Sequence, residues 1–145
     1  MTSSASDQIT DIAEKYNLRL LVYFGSYMTE SYSEESDIDI AYLAEKPLNT
    51  AEKLGLLREL IVTHRKSEVD LVDLQTADPL LRYEIATSGR PFYEREKGLF
   101  EQLSLFYIKQ IYELKPVIRE RIKTIRREIQ ELITDGDQGH HLRET

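Results

Sequence analysis

Leu18-Arg19-Leu20-Leu21-Val22-Tyr23-Phe24-Gly25-Ser26 and, after ten intervening residues, Asp37-Ile38-Asp39-Ile40-Ala41-Tyr42-Leu43 decide the fold. The first run is apolar or aromatic on both faces apart from Arg19, so it reads as a strand inside a sheet. In the second run, Asp37 to Leu43, two aspartates alternate with isoleucines. Successive strand side chains point to opposite faces, so Asp37 and Asp39 share one, about 6.6 Å apart at Cα. Carboxylates at that separation converge on shared divalent cations. Between the two strands, Gly25-Ser26 leaves the first and opens a short turn-plus-helix segment whose N–H groups suit a phosphate. Gly25 has no Cβ to hold a triphosphate off the backbone, and Ser26 adds a hydroxyl donor. Phosphate cradle plus metal-binding carboxylates is the equipment of phosphoryl or nucleotidyl transfer.

Outward from this centre, Ser6 is placed to cap a helix in which Ile9, Ile12, Ala13 and Tyr16 recur at helical spacing, with Asn17 at its exit. Asn49 and Glu52 have the form of a capping box for a helix that carries Leu54, Leu57, Leu60 and Ile61 on one face and runs to His64. Glu68 to Leu74 reads as a third, central strand, with Asp70 on the face of Glu68, Val72 and Leu74. An acidic residue there is costly to bury without a partner, and a metal is such a partner. Asp78-Pro79 starts a helix that ends at Ser88-Gly89, and Pro91 places the short strand to Glu94 at a sheet edge. The pattern is α/β (α+β): a small mixed β-sheet flanked by helices.

From Glu96 to Ile133 the sequence is helical. Phe100, Leu103, Tyr107 and Ile111 form one stripe, and Pro116 is expected to break or kink the run near Lys115. Beyond it Ile118, Ile122, Ile125, Ile129 and Leu132 form a second stripe that either folds back on the sheet or meets a partner helix. The organisation expected is a core over 1–95, a C-terminal helical extension over 96–133, and a disordered polar tail over 134–145.

The 145 residues suffice for one core without staples. Absence of cysteine excludes disulfides and thiolate metal sites and fits the cytoplasm. The first seven residues lack a signal-peptide pattern, and no apolar run approaches a membrane span. With 19 Lys and Arg against 26 Asp and Glu, the net charge of −7 argues against direct gripping of nucleic acid. It favours a basic or neutral protein partner, or a small nucleotide brought in with metal. His64 reads as a helix-end charge or a satisfied surface histidine, and His140 and His141 as part of the tail. Tyr23, Tyr42 and Tyr107 read as packing residues, while Tyr27 and Tyr32 flank the site.

The candidate site is therefore Asp37, Asp39 and Asp70 around two magnesium ions, beside Gly25 and Ser26. Asp37 and Asp39 would bridge the ions. Asp70 would hold the ion that activates an incoming hydroxyl and accept its proton, with attack at the α-phosphorus and pyrophosphate leaving. Without metal, three such carboxylates repel, and at least one pKa should rise.

Gly25-Ser26, ten residues, then Asp37-Ile38-Asp39 resembles the signature of the minimal nucleotidyltransferases of the polymerase-beta-like superfamily. Glu68 to Leu74 looks like the strand carrying the third aspartate. The stretches Asp78-Pro79-Leu80-Leu81-Arg82-Tyr83-Glu84 and Gly89-Arg90-Pro91-Phe92-Tyr93-Glu94-Arg95 are similar to the MntA-type antitoxin branch of HEPN/MNT toxin–antitoxin systems. The resemblance spans about residues 8 to 133. It implies a nucleotidyltransferase fold and a magnesium-dependent protein adenylyltransferase. Such an antitoxin moves AMP from ATP to a tyrosine of a partner HEPN-domain ribonuclease toxin and so blocks RNA cleavage. It maps the metal aspartates onto Asp37, Asp39 and Asp70, and the nucleotide-binding pair onto Gly25 and Ser26. Many relatives have Arg-Gly where this chain has Thr29-Glu30, so Arg65, Lys66 or Arg82 is expected to supply the missing charge. Two other functions compete: an antitoxin that masks its toxin by contact alone, and a nucleotidyltransferase acting on a small molecule such as an antibiotic.

Overall fold

The computed structural model describes residues 4–25, 37–66 and 68–144, with side chains to residue 136. Ser26, Tyr27, Thr29, Glu30 and Tyr32 lie outside the described residues, and so do the side chains of His140 and His141. The described elements are α1 (Ala5–Lys15), β1 (Leu18–Phe24), β2 (Ile38–Ala44), α2 (Thr50–His64), β3 (Val69–Asp73), α3 (Pro79–Ser88), β4 (Arg90–Glu94) and α4 (Leu99–Glu144). The strands form one mixed sheet in the order β3-β2-β1-β4. β1 runs antiparallel to β2 and β4, while β2 and β3 are parallel and joined through α2.

Both sheet faces are covered, which is why β1 and β2 carry so little polar surface. On one face, Ile9, Ile12 and Ala13 of α1 and Leu56 and Leu60 of α2 bury against Leu21, Ile38, Ile40 and Tyr42. On the other, Ile85 of α3 and Leu99 and Tyr107 at the start of α4 bury against Leu20, Val22, Phe24, Ala41 and Leu43. Tyr42 and Tyr107 are core residues and Tyr23 packs beside the first cluster, so the packing reading of these tyrosines holds. Each fully buried Leu or Ile contributes about 1.5–3 kcal/mol of transfer free energy.

Local signals resolve with some corrections. Ser4, not Ser6, caps α1, its hydroxyl accepting from the Asp7 N–H at 3.2 Å. The capping box on α2 is present: Asn49 Oδ1 accepts from Glu52 N–H at 2.8 Å and Asn49 N–H donates to Glu52 Oε1 at 3.0 Å. Its buried face is Leu56 and Leu60, with Leu54 turned to solvent at 61% exposure. Asp78 Oδ1 accepts from the Leu81 N–H, and Pro79 begins α3. β4 lies at one sheet edge, as Pro91 required. β3, read from sequence as central, is the opposite edge. Asp70 is therefore exposed, and the cost of burying a carboxylate in mid-sheet does not arise.

The chain divides into two compact units, Met1–Lys109 and Gln110–Thr145, with the division inside α4. The expected boundary lay at 95/96. In the second unit the helix runs unbroken through Pro116 and on to Glu144, across most of the stretch read as a disordered tail. Pro116 removes one N–H donor, so the Tyr112 carbonyl loses its helical partner; both residues are exposed, and water can satisfy it.

Candidate active site

The parallel pairing of β2 with β3 sets Asp39 directly opposite Asp70. Their side chains project on the face of Ala41, Val72 and Leu74, the side covered by α3 and the start of α4. The two carboxyl groups are close enough for Asp70 to act on the ionisation of Asp39. Partial burial pushes the Asp39 pKa above the ordinary 3.8, followed by the charge and hydrogen bond of Asp70, then by the charges of Asp37 and Glu84. One member of the pair is thus biased toward holding a proton, as expected where carboxylates crowd without a cation. Asp37 precedes β2 and is exposed.

Gly25 follows the residue that partners Asp39 across the β1–β2 ladder, Phe24. It takes φ +71°, and a Cβ built on it would collide with Asp39 Oδ2. Glycine is required here twice over, for the left-handed backbone and for the approach to the carboxylate. The strand-to-turn bend therefore abuts the aspartate pair. Of the five site residues expected from sequence, the structure brings Asp39, Asp70 and Gly25 together, with Asp37 within electrostatic reach. Ser26 lies outside the described residues.

Among the described residues no three His, Asp or Glu side chains form a ready-made metal-binding group. The donor set still suits magnesium. That ion is usually held by one or two carboxylates, with water and substrate phosphates completing the shell. Two oxygen-donor carboxylates set opposite each other, with the charges of Asp37 and Glu84 also acting on Asp39, are the chemistry a hard cation relieves.

Glu84 was not singled out in the sequence. A charged residue between helical apolar positions ordinarily marks a solvated face, and only the packing of α3 brings it within reach of Asp39. Arg82, expected to supply charge to a nucleotide, is engaged by the chain itself. Its Nε donates to the Leu74 carbonyl at 2.9 Å and its Nη2 to the Gln75 carbonyl at 2.7 Å, with the guanidinium 5.3 Å from the Tyr107 ring centre. It pins the turn between β3 and α3. Arg65 caps α2 in left-handed conformation.

His64 is not a helix-end charge. Its Nδ1 lies 2.8 Å from the Leu60 carbonyl, which can only accept, so Nδ1 carries the proton and Nε2 accepts from the Tyr23 hydroxyl at 2.5 Å. Tyr23 stacks on Phe92 at 3.9 Å. Burial lowers the His64 pKa below 6.5, and the ring is neutral. A groove of about 360 Å³ between α1 and α2, lined in part by Lys15, Arg58 and Glu59, lies across the sheet from Asp39.

A mixed sheet that presents paired aspartates to a glycine bend defines a nucleotidyltransferase architecture. Residues 7–98 match the family described as Polymerase beta, Nucleotidyltransferase, and the chain belongs to that family. It is similar to the protein adenylyltransferase MntA of Shewanella oneidensis, 34% identical over 104 residues that cover 72% of this chain and 71% of that protein. The protein adenylyltransferase MntA of Aphanizomenon flos-aquae is 25% identical over 118 residues, 74% of this chain and 78% of that protein. A chain from the crystal structure of a toxin–antitoxin with AMP-PNP superposes with TM-score 0.69 at 26% identity, covering 83% of this chain and 97% of that one. A chain from the complex of tri-AMPylated Shewanella oneidensis HEPN toxin with MNT antitoxin gives TM-score 0.64 at 25% identity, covering 83% and 95%.

Proposed function

We propose that this protein is an antitoxin that neutralises a HEPN-domain ribonuclease toxin by transferring AMP from ATP to a tyrosine of that toxin. The observation that carries the reading is the Asp39–Asp70 carboxyl pair set against Gly25. The likeness to the two adenylyltransferases, and to complexes that hold AMP-PNP or an AMPylated HEPN toxin, supports the choice of nucleotide and partner.

In this reading the Gly25-Ser26 bend cradles the triphosphate and orients its α-phosphorus. The tyrosine oxygen attacks that phosphorus. A new P–O bond forms, the bond to the bridging oxygen breaks, and pyrophosphate leaves with the electron pair. Asp70 takes the hydroxyl proton, a task suited to a carboxylate exposed to the incoming partner. Asp37, Asp39 and Asp70 would hold magnesium, which when bound neutralises charge on the triphosphate and leaving group. No helix among the described residues is long and apolar enough to cross a membrane, and the reading places the protein in the cytoplasm with its ATP.

Intact-mass spectrometry of the toxin after incubation with ATP, magnesium and this protein tests the proposal. One or more added AMP groups are expected with the wild type and none with Asp39→Asn. Toxin left unmodified by the wild type overturns it. Neutralisation by Asp39→Asn at full stoichiometry, equal to that of the wild type, would instead establish masking by contact.

A further inference from the structure

The segment of α4 from residue 110 onward forms a unit of its own, and beyond the buried Ile111 its isoleucines are exposed. Ile118, Ile122, Ile125, Ile129 and Leu132 recur at alternating spacings of four and three, with exposures from 36% to 70%. This is a heptad seam, with exposed Val117 and Ile133 off it near its two ends, and between them it is narrower than the apolar face a helix needs to lie on a bilayer surface. A seam of this width fits one other helix.

Charge indicates which helix. From Ile118 to Leu132 the seam segment carries five Lys or Arg against three Glu, a net +2 in a chain of net −7. Arg119 and Arg126 flank one edge of the seam, and Arg121 shares the other with Glu128; the three arginines are exposed and none is in an ion pair among the described residues. A second copy of this chain matches those edges poorly. In parallel pairing, heptad geometry sets Arg121 against Arg126 of the other copy. In antiparallel pairing with Ile122 opposite Ile125, Arg121 meets Glu128 but Arg119 meets Arg126. We infer that the seam docks an apolar helix of the toxin that carries acidic residues along the edge facing Arg119 and Arg126 and an acidic residue opposite Arg121. The identity of the partner rests on the antitoxin reading above; the docking itself does not depend on Asp39.

The test is the affinity of the full-length chain for the toxin, measured for the wild type, for Ile122→Asp, and for the triple variant Arg119→Glu, Arg121→Glu, Arg126→Glu. All four positions are exposed, so circular dichroism and the melting temperature should not change. The inference predicts binding weaker by about tenfold or more in both variants, with a flatter salt dependence in the triple variant. Unchanged affinity in both overturns it. So does unchanged toxin affinity accompanied by loss of self-association in sedimentation, or by loss of binding to vesicles containing phosphatidylserine; these outcomes assign the seam to a second copy or to a membrane. If the wild type adds AMP while the triple variant binds normally, only the docking inference fails. If binding falls as expected but the wild type never adds AMP, only the catalytic reading fails.

Discussion

At Asp39 the same geometry that suits a cation costs the metal-free protein stability. The folded pKa is raised above 3.8, so the carboxyl is comfortable when protonated at low pH. As pH rises through the folded value, the charge forms beside Asp70 and stability falls. Asp39→Asn should therefore raise the melting temperature of the metal-free protein at pH 7 by roughly 2–4 °C, the equivalent of about 1 kcal/mol at this size. Magnesium should stabilise the wild type and leave the variant almost unmoved, a contrast that thermal melts with and without the ion would show. His64 has the opposite sign. The unfolded chain protonates this ring near pH 6.5, and the folded chain only below that value. Its contribution is complete above pH 6.5 and lost as pH falls through the folded pKa. Urea unfolding at pH 7.5 and 5.5 should show a loss of up to about 1 kcal/mol in the wild type and a flatter profile in His64→Gln. Gly25→Ala meets both a left-handed backbone and the Asp39 carboxyl, and should cost about 1–3 kcal/mol as well as AMP transfer.

Elements differ in how openly the sequence declares them. The Asn49–Glu52 box, the Asp78-Pro79 start and the edge proline Pro91 are local chemistry, and each stands where its residues put it. The first cap moved from Ser6 to Ser4 because two serines two residues apart offer the same hydroxyl, and only the packing of Ile9, Ile12 and Ala13 fixes the phase of α1. β3 carries enough branched residues to pass for a central strand, yet among the described residues no strand pairs beyond it. Edge position depends on pairing order, which no strand encodes by itself. Pro116 looked like a stop because a helix interior loses about 3 kcal/mol there, but a helix of 46 residues tolerates one missing bond in exposed backbone. Pro116→Ala should restore that bond and slow amide exchange in residues 112–120 by about tenfold or more, as hydrogen-exchange mass spectrometry would detect.

Across the whole molecule, the site is legible where it follows strand alternation and obscure where it depends on assembly. Asp39 and Asp70 were readable because period-two patterning fixes their faces, and parallel register then sets them opposite each other. Glu84 and the Tyr23–His64–Phe92 cluster were not, since their members come from separate elements that only the folded sheet brings together. The central claim is that the Asp39–Asp70 pair beside Gly25 is where AMP is transferred. The most direct measurement is the initial rate of AMP incorporation into the HEPN toxin by the wild type, Asp39→Asn, Asp70→Asn and, as a control on the opposite sheet face, Asp11→Asn. The account predicts losses of at least about 10³-fold for the two site variants and a rate within about threefold of wild type for the control. Near wild-type incorporation by Asp70→Asn would contradict it.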